Sequence, residues 1–268
     1  MPLAYRASIC LLSVGLAAFG AAQALAGAWT LPKDEGQAIA GAIYTKSTHA
    51  FDDQGNAQPI PTYDKLDVEL LFEYGATDWL TVLLSPEILS IDIAAPINAD
   101  STSPGYLDFG ARARLWSDAT SVVSVQVIGS LPGMHDDDNP AEIGNTDAEL
   151  DLRLLYGRSF TLANCPAYVD AQLAYRFRFD DPSNEVRIDL TLGMRPHPRF
   201  ALIAQSFNTI SDGTANDIFE DGREHKVQLS AVWNLNENWA VQLGGIATVA
   251  GEDALRERGV VAAVWRRF

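Results

Sequence analysis

Cysteine is scarce in this chain. There are two, Cys10 and Cys165, and the first lies in a segment that reads as removable, so no intramolecular disulfide is left to hold a protein built for an oxidising compartment. Positive charge is also short: 19 Lys and Arg stand against 35 Asp and Glu, a formal charge of −16. Such a surface repels nucleic acid. After residue 26 no stretch reaches the roughly 18 consecutive apolar residues that a spanning helix needs. Helical spacing at i, i+3, i+4 and i+7 is rarely kept for three turns. These shortages exclude a disulfide scaffold and a helical membrane bundle, and they leave any membrane role to strands.

What is present begins with an export signature. Residues 1–26 carry one charge, Arg6, then an apolar run over 9–22 and the small-x-small triplet Ala24, Leu25, Ala26. That is the pattern of a secretory signal peptide cleaved after Ala26. The apolar run is short for an anchor, and Cys10 sits inside it rather than after it, against a lipoprotein. The mature domain is then 27–268, opening on a short periplasmic lead over 27–35.

From Gln37 on, apolar and polar residues alternate. In 66–75, Leu66, Val68, Leu70, Phe72 and Tyr74 share one face, and Asp67, Glu69, Leu71 and Glu73 the other. Long charged side chains recur on the polar face: Asp108, Arg112 and Arg114 in 107–116; Glu149, Asp151 and Arg153 in 149–156; Asp170, Arg176 and Arg178 in 169–180; Arg187, Asp189 and Arg195 in 186–195. A further polar-faced strand covers 226–235. Segments 39–46, 79–91, 122–131, 200–210 and 239–249 are less polar, and for 79–91 and 200–210 the pattern does not choose a facing. The last strand, 259–268, puts Val260, Ala262, Val264 and Arg266 on one face. The count is about twelve, and the arrangement predicts an all-β fold: a closed antiparallel up-and-down transmembrane β-barrel, apolar outside and polar within.

Short connections at 76–78, 117–120, 163–166, 196–199 and 236–238 trade with long ones at 50–64, 94–105, 132–147, 211–224 and 250–258, with 180–184 a shorter member. Short periplasmic turns and long outer loops place both ends of the mature chain in the periplasm. Three turns are followed by an aromatic, Trp79, Phe200 or Trp239. With Tyr74, Trp116, Tyr156, Trp233 and Trp265 these predict a periplasmic-side belt.

A strand that ends in Phe268 resembles the C-terminal signal read by the barrel assembly machinery. Signal peptide, alternating strands, unequal connections and terminal Phe together resemble a Gram-negative outer-membrane β-barrel over the whole mature chain. The segments Trp29-Thr30-Leu31-Pro32-Lys33-Asp34-Glu35-Gly36-Gln37 and Phe72-Glu73-Tyr74-Gly75-Ala76-Thr77-Asp78-Trp79 are similar to barrel proteins of the phenol-degradation MetA transporter type. The resemblance implies a cell outer membrane location, in contact with lipid and lipopolysaccharide. No functional residue is carried over from it.

Chemistry is sparse. Of the four histidines, His225 alone has a serine and an acid nearby in sequence, Ser211 and Asp212, but no G-x-S-x-G elbow accompanies them. No catalytic residue, cofactor or metal is expected. The run His135-Asp136-Asp137-Asp138-Asn139 offers oxygen ligands but not the EF-hand spacing. The lumen is the informative place. If 180–184 turns the hairpin, Arg176 falls opposite Asp189 and Arg178 opposite Arg187, with Glu149 and Asp151 alongside. A structural ion-pair network is one reading. The other takes Arg112, Arg114, Arg153, Arg176, Arg178 and Arg187 as a wall facing Asp67, Glu69 and Glu73, which sets selectivity in a passive channel for small polar or anionic solutes. Alternatives are a closed structural or adhesin-like barrel working through its outer loops and, behind these, an outer-membrane hydrolase.

Overall fold

The computed structural model describes residues 27–133, 139–141, 147–179, 183–212 and 222–268. The strands are β1 Gly36–Phe51, β2 Ala57–Thr77, β3 Leu80–Ile93, β4 Ala99–Ser117, β5 Ser121–Leu131, β6 Glu149–Leu162, β7 Cys165–Arg178, β8 Asn184–His197, β9 Phe200–Asp212, β10 Arg223–Asn234, β11 Trp239–Glu252, the two-residue β12 Ala254–Leu255 and β13 Arg258–Arg267. Each long strand pairs antiparallel with its sequence neighbour, and β1 pairs with both β2 and β13, so twelve long strands close into a barrel. The seam runs from Gln37↔Arg267 to Lys46↔Arg258 and is finished by two backbone bonds between Gly36 and Phe268. Closure leaves no spanning edge unpaired, which is what allows strands to cross lipid. The export segment expected over 1–26 lies outside the described residues.

Burial is inverted relative to a soluble sandwich. Gln37, Thr81, Arg112, Ser124, Asp151 and Asp170 are buried, while Leu66, Phe72, Leu84, Leu154, Leu173, Leu229 and Leu243 are exposed. The outer wall is the apolar one, which only a lipid solvent rewards. The facings that the sequence left open are now set: Thr81, Ser85, Leu89 and Ile91 point inward on β3, and Ala201 and Ile203 on β9.

Both rims of the apolar wall are marked. On the side of the short turns, Tyr74, Trp79, Trp116, Tyr156, Trp233 and Trp239 are exposed; Trp233 meets Phe200 edge-on, and Arg266 lies 4.8 Å over the Trp239 ring. At the other side the Tyr44 hydroxyl donates to Asp64, which also pairs with Lys46 at 3.1 Å. A charged pair on the outer face marks the headgroup level. Trp265 leaves the expected belt: only 8% exposed, it faces the lumen. The alternation that turns Val264 and Arg266 outward requires this. Trp116 stays in the belt because a register irregularity between Arg114 and Trp116 turns it and Leu115 both outward.

Two expected loops are largely strand. Residues 57–64 extend β2 and 99–105 extend β4, in register with β1 and β3. Beyond the lipid no apolar face is required, so the ladder continues on backbone bonds and cross-strand pairs such as Ser90 with Thr102. The alternation ends there, but the strand does not.

Candidate functional site

The lumen is filled on one side by the segment that precedes β1. Of the expected periplasmic lead over 27–35, residues 27–31 lie inside the barrel, and 32–35 are exposed at its short-turn rim. Ala28 N donates to Asp170 Oδ2 (2.8 Å), Ser124 Oγ donates to Ala28 O (2.6 Å), Arg112 Nη1 donates to Trp29 O (3.0 Å), and Leu31 N donates to Thr81 Oγ1 (2.8 Å). These partners sit on β7, β5, β4 and β3, so the segment is bound across half the wall near the short-turn end. Its apolar side chains explain why it goes in: Ala28 packs with Val122 and Leu155, and Trp29 meets Tyr168 edge-on at 6.0 Å. Two glycines make room. A Cβ at Gly157 would lie 2.5 Å from the Trp29 ring, and one at Gly75 1.9 Å from Pro32 O.

Above it the arginines meet carboxylates. Glu149 takes Arg178 Nε on one oxygen and Arg176 Nη1 on the other, both at 2.9 Å. Glu185 approaches the same two arginines at 3.5 and 3.8 Å. Arg153 bridges Asp151 (3.2 Å) and Asp189 (2.7 Å). Arg112 binds Glu73 at 2.7 Å and donates to Gln126 Oε1 at 2.9 Å, so Glu73 joins its arginine rather than facing it. The expected register is corrected: Arg176 is opposite Glu185, Arg187 opposite Ala174, and Asp189 opposite Gln172. The β7–β8 connection covers 179–183 rather than 180–184, because β7 ends at Arg178 and β8 already begins at Asn184, whose side chain accepts from Arg178 N. The shift is an even number of residues, so facings survive while partners change. Arg114 is paired across strands with the buried Ser124 and so lies on the inner face. Arg187 Nε has no hydrogen-bond partner among the described residues.

The other side of the lumen is hollow. A cavity of about 230 Å³ lies against β1, β2, β9, β10, β11 and β13, bounded by Asp67, Glu69, Gln205, Gln228, Gln242 and Trp265. Phe207 and Ile203 add apolar wall, and among the described residues no arginine or lysine lines it. Of the nine expected selectivity residues, two reach this open space, Asp67 and Glu69. Four of the arginines and Glu73 belong to the filled side.

Toward the long-loop end, Leu89, Ile91 and Ile93 pack against Ala141, a residue of the β5–β6 connection turned inward. Glu257, between β12 and β13, is clamped there by Lys226 at 2.5 Å and Lys65 at 3.4 Å and accepts from Thr45 Oγ1. Burial alone would raise its carboxyl, but the two ammonium groups overcome this and hold it at about 2. A depressed folded value means that this clamp's stabilisation is complete above the ordinary glutamate range and is lost as pH falls through it toward 2. Acid titration of the folded-to-unfolded mobility shift in Glu257→Gln should be flatter over that window than in the wild type.

The other candidate groups do not assemble. His225 Nδ1 lies 2.8 Å from Asn208 Oδ1, Ser211 Oγ accepts from Gly222 N, and Asp212 accepts from the Tyr175 hydroxyl. The three have separate partners rather than one another. Of the run 135–139 only Asn139 is within the described residues, and it donates to Asp100 O.

Among solved structures the chain is similar to the COG4313 outer membrane channel from Pseudomonas putida F1, with a TM-score of 0.74 and 17% identity over 90% of this chain and 98% of that one. The fold is that of a Gram-negative outer-membrane β-barrel. A structure of the NanC porin is also similar to this barrel, with a TM-score of 0.54 and 8% identity over 85% of this chain and 98% of that one. At these identities the shared property is the barrel itself. No family model and no curated protein matches the chain.

Proposed function

We propose that this barrel is a channel of the outer membrane, with a narrow off-centre path along the β9–β2 side that passes small polar solutes and prefers cations to anions. One observation carries the reading. The open side of the lumen has two carboxylates, Asp67 and Glu69, and no arginine or lysine among its described lining residues, whereas Arg112, Arg153, Arg176 and Arg178 each lie within ion-pair distance of a carboxylate. A neutralised arginine wall contributes little field to the path, and fixed carboxylates beside it attract cations. The reading includes export by the signal peptide over 1–26, contact with lipid and lipopolysaccharide around the apolar wall, and recognition by the assembly machinery at the exposed Phe268.

The test is the reversal potential of the refolded chain in a planar bilayer under a salt gradient. The wild type should select for cations, and Asp67→Asn with Glu69→Gln should bring the permeability ratio several-fold closer to one, more so at low salt. A second reading, anion preference, has Arg187 in its favour, since its Nε has no hydrogen-bond partner among the described residues. Anion selectivity lost in Arg187→Ala would establish that reading instead.

A further inference from the structure

On the outer wall, at the seam between β1 and β13, two cations face each other: Lys46 is directly opposite Arg258. Both point away from the lumen. Their chain neighbours Thr45, Ser47 and Glu257 are buried, while Tyr44 and Val260, in step with the pair, are exposed. Side chains directly opposite in a ladder have Cβ atoms about 5 Å apart, and like charges so placed repel. Lys46 has an acid on its other side, Asp64 of β2 at 3.1 Å, whose carboxylate also accepts from the Tyr44 hydroxyl. Arg258 has none. Its other neighbour is Ala247 of β11, and its guanidinium has no hydrogen-bond or ion-pair partner among the described residues. One carboxylate therefore stands against two cations, in a chain whose formal charge is −16.

The wall beneath the pair is grooved. Below Tyr44 on the outward face of β1 come Ala42, Ala40 and Ala38, each with a single methyl group. Their neighbours stand taller. Val68 and Phe72 of β2 flank the alanines on one side and Val264 of β13 on the other; at the level of Ala42 the low ground widens over Ala262 to Leu243 of β11. All four of these larger side chains are exposed. The flanking strands are roughly 10 Å apart, and Ala38 to Ala42 covers roughly 13 Å along the strand. That leaves room for one hydrocarbon chain lying along the wall. Tyr44, at the top, is drawn toward β2 by its bond to Asp64, which keeps the β13 side of the groove open to Arg258.

Charge and groove select one class of partner. The pair sits at the long-loop rim of the apolar wall, at headgroup level. A free anion leaves the groove empty, and a plain hydrocarbon leaves the cations unmet. A phosphorylated lipid satisfies both. A phosphate monoester carries about −1.5 to −2 charge at neutral pH and three acceptor oxygens, enough to meet an ammonium and a guanidinium at once. A zwitterionic phosphodiester lipid brings an ammonium of its own, and the one acid at hand, Asp64, is already taken by Lys46 and Tyr44. We infer that Lys46 and Arg258, with the groove over Ala38, Ala40 and Ala42, form a site for an outer-leaflet lipid bearing a phosphate monoester, as the lipid A part of lipopolysaccharide does. The phosphate lies between the two cations and one acyl chain along the alanines. The inference deepens the lipid contact of the proposed function and rests on its placing of the long loops outside the cell.

The experiment is native mass spectrometry of the refolded chain released from detergent micelles, with diphosphoryl lipid A added at increasing concentration. The wild type should retain one lipid A per barrel, saturably. Arg258→Gln should weaken the apparent affinity about tenfold, as expected for loss of one hydrogen bond to a charged group. Ala40→Leu keeps both cations but fills the groove, and should weaken binding as well. Arg266→Gln removes an outward cation at the opposite rim and should leave binding as it was. No saturable retention, retention unchanged in Arg258→Gln or in Ala40→Leu, or an equal loss in Arg266→Gln would each overturn the inference. So would displacement of lipid A by an equal concentration of inorganic phosphate, which would mark a bare anion patch, or of phosphatidylethanolamine, which would mark a general lipid contact. Because binding is read without a bilayer, the two proposals can fail separately. A barrel that conducts but retains no lipid A sinks the lipid site alone, and one that retains lipid A at Arg258 without conducting sinks the channel alone.

Discussion

Deleting residues 27–34 from the refolded chain should raise its single-channel conductance more than any point substitution. In a barrel of twelve strands the bore is fixed by strand number and tilt, so its free cross-section depends on what lies inside. Here the contents of half of it are the segment bound at Asp170, Ser124, Arg112 and Thr81. Clearing it should increase conductance roughly two- to fivefold if lumen and segment divide the section about equally. The groups left behind are polar and would face water in the widened lumen, so the wall should tolerate the loss better than a dry core would. A gentler variant separates occupancy from folding. Asp170→Ala removes the acceptor for Ala28 N and part of the hold on the segment, and should give a channel that flickers between narrow and wide levels. Unchanged conductance in the deletion, with the barrel intact by gel mobility, would place the ion path away from the segment and remove the half-filled lumen from the account of function.

Much of the barrel is legible in the sequence because lipid and lumen impose opposite solvents on alternate residues. Leu66 to Glu73 or Leu150 to Arg153 has few other ways to satisfy both. Strand number, alternating connection lengths and closure by β13 all follow from that pattern. Partners are less legible than facings. An even shift in register keeps an arginine pointing inward, so Arg176 kept its side of the sheet while its neighbour changed from Asp189 to Glu185. Both of those neighbours are acids, but the expected opposition of Arg178 and Arg187 gives way to ion pairs of Arg178 with Glu149 and Glu185. The internal segment was hidden for a different reason. Nothing in 27–35 alternates, so a polar lead and an inserted one look alike, and the available signal was the apolar trio Ala28, Trp29 and Leu31 in a stretch expected to sit in water. Trp265 was recoverable, since the outward facing of Val264 already fixed it inward.

The ion-pair network makes the second large prediction. Glu149 is 4% exposed and neutralises Arg176 and Arg178 together, so Glu149→Ala leaves two guanidinium groups with Glu185 as their nearest shared acid. Breaking a buried pair by removing one partner typically costs about 3–5 kcal/mol, and lumen water should bring this case to the lower end. Denaturant titration of the barrel in lipid vesicles, followed by gel mobility, is the measurement. Lys46→Ala is the control: its pair with Asp64 is on the outer face with the lysine half exposed, and such a pair contributes about 0–1 kcal/mol. Adding Arg178→Ala to Glu149→Ala should recover part of the loss, because one stranded charge is removed with its absent partner. If the single variant costs no more than Lys46→Ala, the network is too well hydrated to hold the filled side in shape. If the cost is large, the ion pairs explain why the lumen is divided. Arg112, Arg153, Arg176 and Arg178 are committed to carboxylates, which leaves Asp67 and Glu69 to carry the proposed cation preference on the open side.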